Sequence, residues 1–318
     1  MPRKTTNTSR SHTSARGFSL VELMVAMILG LVLTGATSAL FLNSKRAFSE
    51  NEYVGGMYEY GNYALSEVAD ALRTSGFFGK TQSYVIKQSA TLAVITNDCS
   101  GNAAGYDLTN PLWAVTAASN TVATCITDAK PNSDVIFVKH VASAPTAPSD
   151  LDASKTYLAS NETTGQLFDG ADTPPTTTSG GDVPGGQFWE YMATAYYVAD
   201  EEPPVLYRRR LTGNTWAARE EVALGIENLR VELGVDSDQD GVPNFFADAA
   251  TADWENVVSA RLFLLVRSEF ADPYYKDTRI YTLGGRTIYP ADGDSFHRLV
   301  ISTDVTVRNR RLMLAGGL

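Results

Sequence analysis

Three aspartates at alternate positions, Asp236, Asp238 and Asp240, stand directly before Gly241 in the run VDSDQDGVPNFF from Val235 to Phe246. Hard divalent cations take about six to eight oxygen ligands, and alternating carboxylates in a tight loop can converge on one ion while a glycine permits the turn. In an EF-hand style of counting, the carbonyl of Val242 and the side chain of Asn244 fall at further ligand positions, whereas Ala247 stands where a bidentate glutamate would be. Asp248 or Asp253 could complete the shell. The cofactor expected from this run is a structural calcium ion. The alternative is an Asp/Gly-rich hairpin turn that binds nothing.

A second distinctive group is Glu22, the one ionisable residue between Phe18 and Leu42. A carboxylate in apolar surroundings costs at least a few kcal/mol unless it is paired or protonated. Catalytic chemistry is poorly provided for. The histidines are His12, His140 and His297, and the chain has no GxSxG elbow, P-loop, HExxH or CxxC pattern. Isolated acids could still pair, so a membrane-anchored calcium-dependent hydrolase stands as an alternative of another class, but the expectation is that the protein is not an enzyme.

The elements that carry these groups begin with a basic, Ser/Thr-rich leader, Met1 to Gly17, which contains Arg3, Lys4, Arg10 and Arg16 and no acid. The apolar segment 18–42 that follows is long enough, at 1.5 Å rise per residue, to cross a bilayer core of ~30 Å. Basic residues ahead of it favour retention of the leader on the cytoplasmic side, so the remainder is exported. Cys99 and Cys125 are an even pair in an exported chain and are expected to form a disulfide. Setting the leader's four bases aside makes a chain with 36 acids and a formal charge of −10 still more acidic. Such a surface repels phosphates, and no direct nucleic-acid binding is expected.

Beyond the apolar segment the helical pattern continues over 43–76, with Leu65, Val68, Ala69 and Leu72 on one face. Gly55 and Gly56 should loosen it and Gly76 end it. The tyrosines at 53, 58, 60 and 63 read as packing residues. Strand-like segments then dominate a β-rich domain over 77–318: Ser83 to Lys87, Leu92 to Thr96, Asp134 to Val141, Phe188 to Val198, Val205 to Leu211, Leu229 to Val235, Val257 to Val266 and Leu299 to Val307. A Pro/Thr/Gly/Ser-rich stretch at about 142–186 reads as a long exposed insertion. One long helix followed by strands predicts an α+β fold, the helix packed on an antiparallel sheet. The basic runs Arg208, Arg209, Arg210 and Arg308, Arg310, Arg311 would either meet a neighbouring subunit or solvate a strand edge.

Gly17 to Met27 reads GFSLVELMVAM, which resembles the prepilin processing motif of type IV pilins and type II secretion pseudopilins. The resemblance implies that a prepilin peptidase cuts between Gly17 and Phe18 and methylates Phe18. The new amine would lie four residues before Glu22 on the same helix face, and either it or the amine of an adjacent subunit could pair with Glu22 to set register during assembly. Further along, GVDSDQDG, DWENVVSARLFLLVRS from Asp253 to Ser268 and NSDVIFVKH from Asn132 to His140 resemble PilW-type minor pilins. One departure is the absence of the mid-helix proline of many major pilins, where this segment has Gly30 and Gly35.

The family reading is thus a minor pilin that primes pilus assembly, with consequences for twitching motility, adhesion and DNA uptake. Its implied partners are the prepilin peptidase, other minor and major pilins, the inner-membrane assembly platform and a tip adhesin. The implied location is the inner membrane with the C-terminal domain in the periplasm, then the filament or its tip. A pseudopilin of the type II secretion system is the runner-up.

Overall fold

The computed structural model describes residues 17–290, 293–307 and 309, so leader residues 1–16 and Arg308, Arg310 and Arg311 lie outside it. One helix, α1 (Leu20–Thr74), precedes the strands. These are β1 (Ile86–Gln88), β2 (Leu112–Thr116), β3 (Asp134–Val141), β4 (Thr156–Ser160), β5 (Gly165–Asp169), β6 (Gln187–Val198), β7 (Val205–Thr212) and β8 (Thr215–Trp216). They continue as β9 (Glu220–Leu224), β10 (Ile226–Val235), β11 (Phe245–Asp248), β12 (Val257–Arg267), β13 (Tyr281–Leu283), β14 (Arg286–Ile288) and β15 (Arg298–Thr306).

Two compact units divide between Glu52 and Tyr53. In the first, the apolar side chains of α1 are exposed. Among the described residues α1 is the one helix long and apolar enough to cross a membrane. Its threonines are suited to that setting, because Thr34 donates to the Gly30 carbonyl at 2.7 Å and Thr37 to the Leu33 carbonyl at 3.0 Å, which leaves neither hydroxyl without an acceptor.

The second unit is built on two sheets and a hairpin. The first sheet runs β1-β5-β4-β6-β3-β2, with β7, β8 and β9 joined to it through β6; the second runs β11-β10-β12-β15; β13 and β14 pair with each other. Every pairing among these strands is antiparallel except β1 with β5. Met57, Gly61, Ala64, Leu65, Val68, Ala69 and Leu72 recur at helical spacing and are buried. They share a core with Leu112, Ile136, Val138 and Tyr196 of the first sheet and Leu229, Val231, Leu262, Leu264 and Val266 of the second. Burying one such side chain is worth about 1.5–3 kcal/mol. The other face of the first sheet has its own core, around Phe137, Leu158, Leu167, Trp189, Tyr197 and Trp216.

Several expectations change. The exposed insertion expected at 142–186 contains β4 and β5, and Tyr157, Leu158, Ala159, Leu167 and Phe168 are buried within them. Flanking Thr, Pro and Gly dilute the composition of this stretch and hide two five-residue strands. Leu92 to Thr96 is not a strand, and of Ser83 to Lys87 only the end enters β1, after a single 3₁₀ turn. The helix continues through Gly55 and Gly56 without a break. Gly76 does mark its end, at φ +73°, with its N–H donated to the Lys139 carbonyl at 3.0 Å.

Two buried arginines each gather more than one acid. Arg298 meets Glu227 at 2.5 Å, Asp277 at 3.0 Å and Asp294 at 2.5 Å. Arg230 meets Asp134 at 3.0 Å and also pairs with Asp248. Desolvation raises the Asp134 carboxyl above its ordinary value despite Arg230 beside it. At Asp277 desolvation also pushes upward, but hydrogen bonds from Tyr281 and Arg298 prevail and hold the group at about 2.

Two predictions follow from this packing. A Cβ on Gly61 would stand 2.5 Å from Ile301 Cδ1 and 2.9 Å from Val266 Cγ2, so Gly61→Val should cost about 2 kcal/mol, read as a lower midpoint in denaturant unfolding of the full chain in detergent. Because the folded-state value of Asp277 lies below its ordinary 3.8, its contribution is complete above about pH 4 and is lost as pH falls towards about 2. Asp277→Asn should be less stable at neutral pH and should flatten that acid limb in a pH series of unfolding midpoints.

Candidate functional site

Gly17, Phe18 and Ser19 precede the helix and are exposed, and α1 starts at Leu20. The Ser19 N–H donates to Glu22 Oε2 at 2.9 Å, and the Glu22 N–H donates to Ser19 Oγ at 3.2 Å. These reciprocal bonds are a capping box, which satisfies two of the N–H groups that a helix start leaves without partners. Sequence reasoning treated Glu22 only as a charge awaiting an amine. The spacing Ser-x-x-Glu at 19–22 carried the capping signal and was readable. In this geometry the carboxylate has an intrachain partner at Ser19, and it uses only one of its oxygens.

The acidic loop joins β10 to β11. Asp236, Asp238 and Asp240 each offer a carboxylate oxygen within 4.8 Å of the others, which is close enough to share one cation. Asp236 is 1% exposed; its Oδ2 accepts the Gly241 N–H at 2.6 Å. Desolvation pushes its carboxyl upward, but the Gly241 donor and further hydrogen bonds bring it below the ordinary value. Gly241 has φ +86°, a conformation that favours glycine, and it turns the chain as the sequence implied.

The remaining expected ligands are arranged differently. Asn244 Oδ1 accepts from the Ser237 N–H at 2.6 Å and from Ser237 Oγ at 2.9 Å, so it is already used to close the loop. The Val242 N–H donates to Asp240 Oδ1 at 2.7 Å. Asp248 is held by Arg230 and Arg286, and Asp253 accepts from the Glu255 N–H and from Asn256 Nδ2. Neither is free to complete an EF-hand-like shell. The trio is what the fold brings together.

Cys99 and Cys125 form the expected disulfide. Closing a loop of that length stabilises by about 3 kcal/mol in the chain-entropy account. Nearby, buried Lys139 donates to the carbonyls of Asn102 at 2.8 Å and Asp107 at 2.5 Å, and burial pushes its ammonium down to about 8. The basic run at 208–210 is engaged within the chain. Arg208 pairs with Glu67 of α1 and, at 2.9 Å, with Glu220; Arg209 donates to the carbonyls of Cys125, Trp216 and Ala217. Arg210 lies 3.9 Å from Glu220. His140 Nδ1 faces its neighbour's carbonyl, Val141 O, at 3.0 Å. His297 lies between Tyr53 and Tyr275, with its Nε2 3.1 Å from Asp272.

Residues 195–309 match the family model of the type IV pilus-assembly protein W, PilW, and residues 13–38 match the prokaryotic N-terminal methylation motif. In structure the chain is similar to the type IV-like pilin TTHA1219 from Thermus thermophilus, at a TM-score of 0.34 and 13% identity, over 77% of this chain and 93% of that one. No curated protein matches the sequence. In these two segments the chain is similar to type IV minor pilins of the PilW type and to proteins that carry the methylation motif.

The capping box makes a separable prediction. Ser19→Ala removes the acceptor for the Glu22 N–H and should destabilise the helix start by about 1 kcal/mol, whereas Ser19→Thr should cost little. Amide exchange of residues 20–24 in detergent micelles would read the difference, and equal protection in both variants would show that the box adds nothing.

Proposed function

We propose that this chain is a minor pilin that is cut between Gly17 and Phe18, methylated at Phe18 and incorporated through α1 into a type IV pilus whose assembly it helps to prime. The observation that carries the reading is the coincidence of the methylation motif at 13–38 with an exposed apolar stretch, 18–42, whose single charge is Glu22. A second unit with its own cores and disulfide suits display outside the inner membrane, first in the periplasm and later on the filament or at its tip. The prepilin peptidase, other minor and major pilins, the inner-membrane assembly platform and a tip adhesin are the partners this role requires. Twitching motility, adhesion and DNA uptake would follow from the filament and not from direct contact with DNA. The type II secretion reading shares the N-terminal chemistry; the PilW match over 195–309 favours the pilus.

Glu22 would act in two successive pairings. Before the cut its carboxylate caps the helix through the Ser19 N–H. Cleavage creates a cationic amine at Phe18, and an ionised donor adds to the hydrogen bond a charge–charge attraction that the neutral Ser19 N–H lacks. A neighbour's amine can therefore compete for Glu22 without the helix start being lost, since Ser19 Oγ still accepts the Glu22 N–H.

Glu22→Gln separates the two pairings, because glutamine retains the capping geometry but not the charge. Both Glu22→Gln and Glu22→Ala should reduce incorporation into sheared filaments by about ten-fold or more, as expected when a charged pair worth ~1.5–3 kcal/mol is lost. Wild-type incorporation of Glu22→Gln would assign Glu22 to capping alone. Cleavage itself is read by N-terminal mass analysis; Gly17→Ala should retain the leader, and a mature Phe18 terminus in that variant would refute the processing site.

A further inference from the structure

We propose that Asp236, Asp238 and Asp240 form a calcium site whose occupancy fastens β11 to β10 and, through Asp248, holds the β13–β14 hairpin in place. The site goes beyond the assembly role and is independent of it.

Two observations point to a cation. The first is the convergence of three carboxylates within 4.8 Å, an arrangement that like-charge repulsion opposes unless a cation or protons compensate it. The second is Asp236 itself: it is 1% exposed, and its Oδ1 has no hydrogen-bond partner among the described residues. A buried carboxylate oxygen without a partner is costly, and a bound cation supplies what the protein does not. With only oxygen donors and no histidine or cysteine in the group, the chemistry selects a hard ion over zinc or copper. Calcium accepts irregular sets of oxygens completed by water, whereas magnesium demands near-ideal octahedral geometry. The fixed loop, with its Asn244 brace, suits the former.

The consequence for the fold follows from where the loop leads. At its base the Asp236 N–H donates to the Asn256 carbonyl and the Asn244 N–H to the Val235 carbonyl, both at 2.8 Å. The next residue, Phe245, opens β11, an edge strand that pairs with β10 alone, from Val235 opposite Phe245 to Glu232 opposite Asp248. Asp248, the last residue of β11, meets Arg230 on β10 and Arg286 on β14, the latter at 3.3 Å. Repulsion at one end of this four-residue strand therefore acts on the pairing that positions Asp248 at the other. Cation binding removes the repulsion, seats β11 and presents Asp248 to Arg286.

The test uses the full chain in detergent, with terbium luminescence and calorimetry for binding and amide exchange for coupling. At a calcium concentration ten times Kd, exchange through local opening of residues 245–248 and 286–288 should slow by about eleven-fold, the mass-action factor for a ligand that binds only the closed form. Magnesium at the same concentration should do much less. Asp238→Asn with Asp240→Asn should abolish both binding and protection. Asp248→Asn should still bind the ion and protect 245–248, but lose the effect at 286–288. Failure of the wild-type chain to bind terbium or millimolar calcium would overturn the site; binding that leaves 286–288 unchanged would overturn the coupling.

Discussion

The buried stripe of α1 from Met57 to Leu72 is the constraint on which the second unit depends. Both sheets place side chains against it in one shared core. Gly61 lets the helix approach β12 and β15 more closely than any side chain would permit. The apolar stripe and the missing Cβ are thus two parts of one requirement: a helix that is wholly exposed in its first half must be tightly gripped in its second. The grip is reinforced by polar contacts at the rim, where Arg208 and the Tyr196 hydroxyl both reach Glu67.

An acidic chain also has to keep its interior from filling with uncompensated negative charge. Here it does so by giving single arginines several acids. Arg298 is nearly inaccessible and serves three carboxylates, and Arg230 serves two. Such pairs contribute little net stability when weighed against apolar replacements, but removal of one member is severe because it strands the other in a poor solvent. Their value lies in fixing relative position: Asp134 belongs to β3 in the first sheet, Arg230 to β10 in the second, and Asp248 to β11 at its edge.

Much of this was legible from residues alone. The sequence places β3, β6, β7, β10, β12 and β15 within a few residues of their observed bounds; β3, β6 and β10 are largely buried on both faces and read as near-continuous runs of strand-forming residues. The helix and the disulfide were equally readable. β4 and β5 were not, since five-residue strands between turn-forming residues are too short for periodicity to stand above composition. The acidic loop is legible as a motif; what the motif does not reveal is that Asn244 Oδ1, counted among the ligands, also braces Ser237. Glu22 stands out in the sequence for its charge, whereas its hydrogen bond to Ser19 is encoded in the Ser-x-x-Glu spacing, a capping signal that hydrophobicity does not carry.

The parallel pairing of β1 with β5 and the contact of Ile301 with Gly61 bear on the order in which the polypeptide becomes available. β1 needs a neighbour that lies beyond β4, and the helix stripe around Gly61 packs on β15, the last of the described strands. In a chain synthesised from its amino end, the helix exists long before the strands that cover its buried stripe. A chain that stops before Ile301 lacks one of the two side chains packed over Gly61, so the absence of β15 is registered on the helix as exposed apolar surface. The topology thereby makes an unfinished chain physically distinguishable from a finished one.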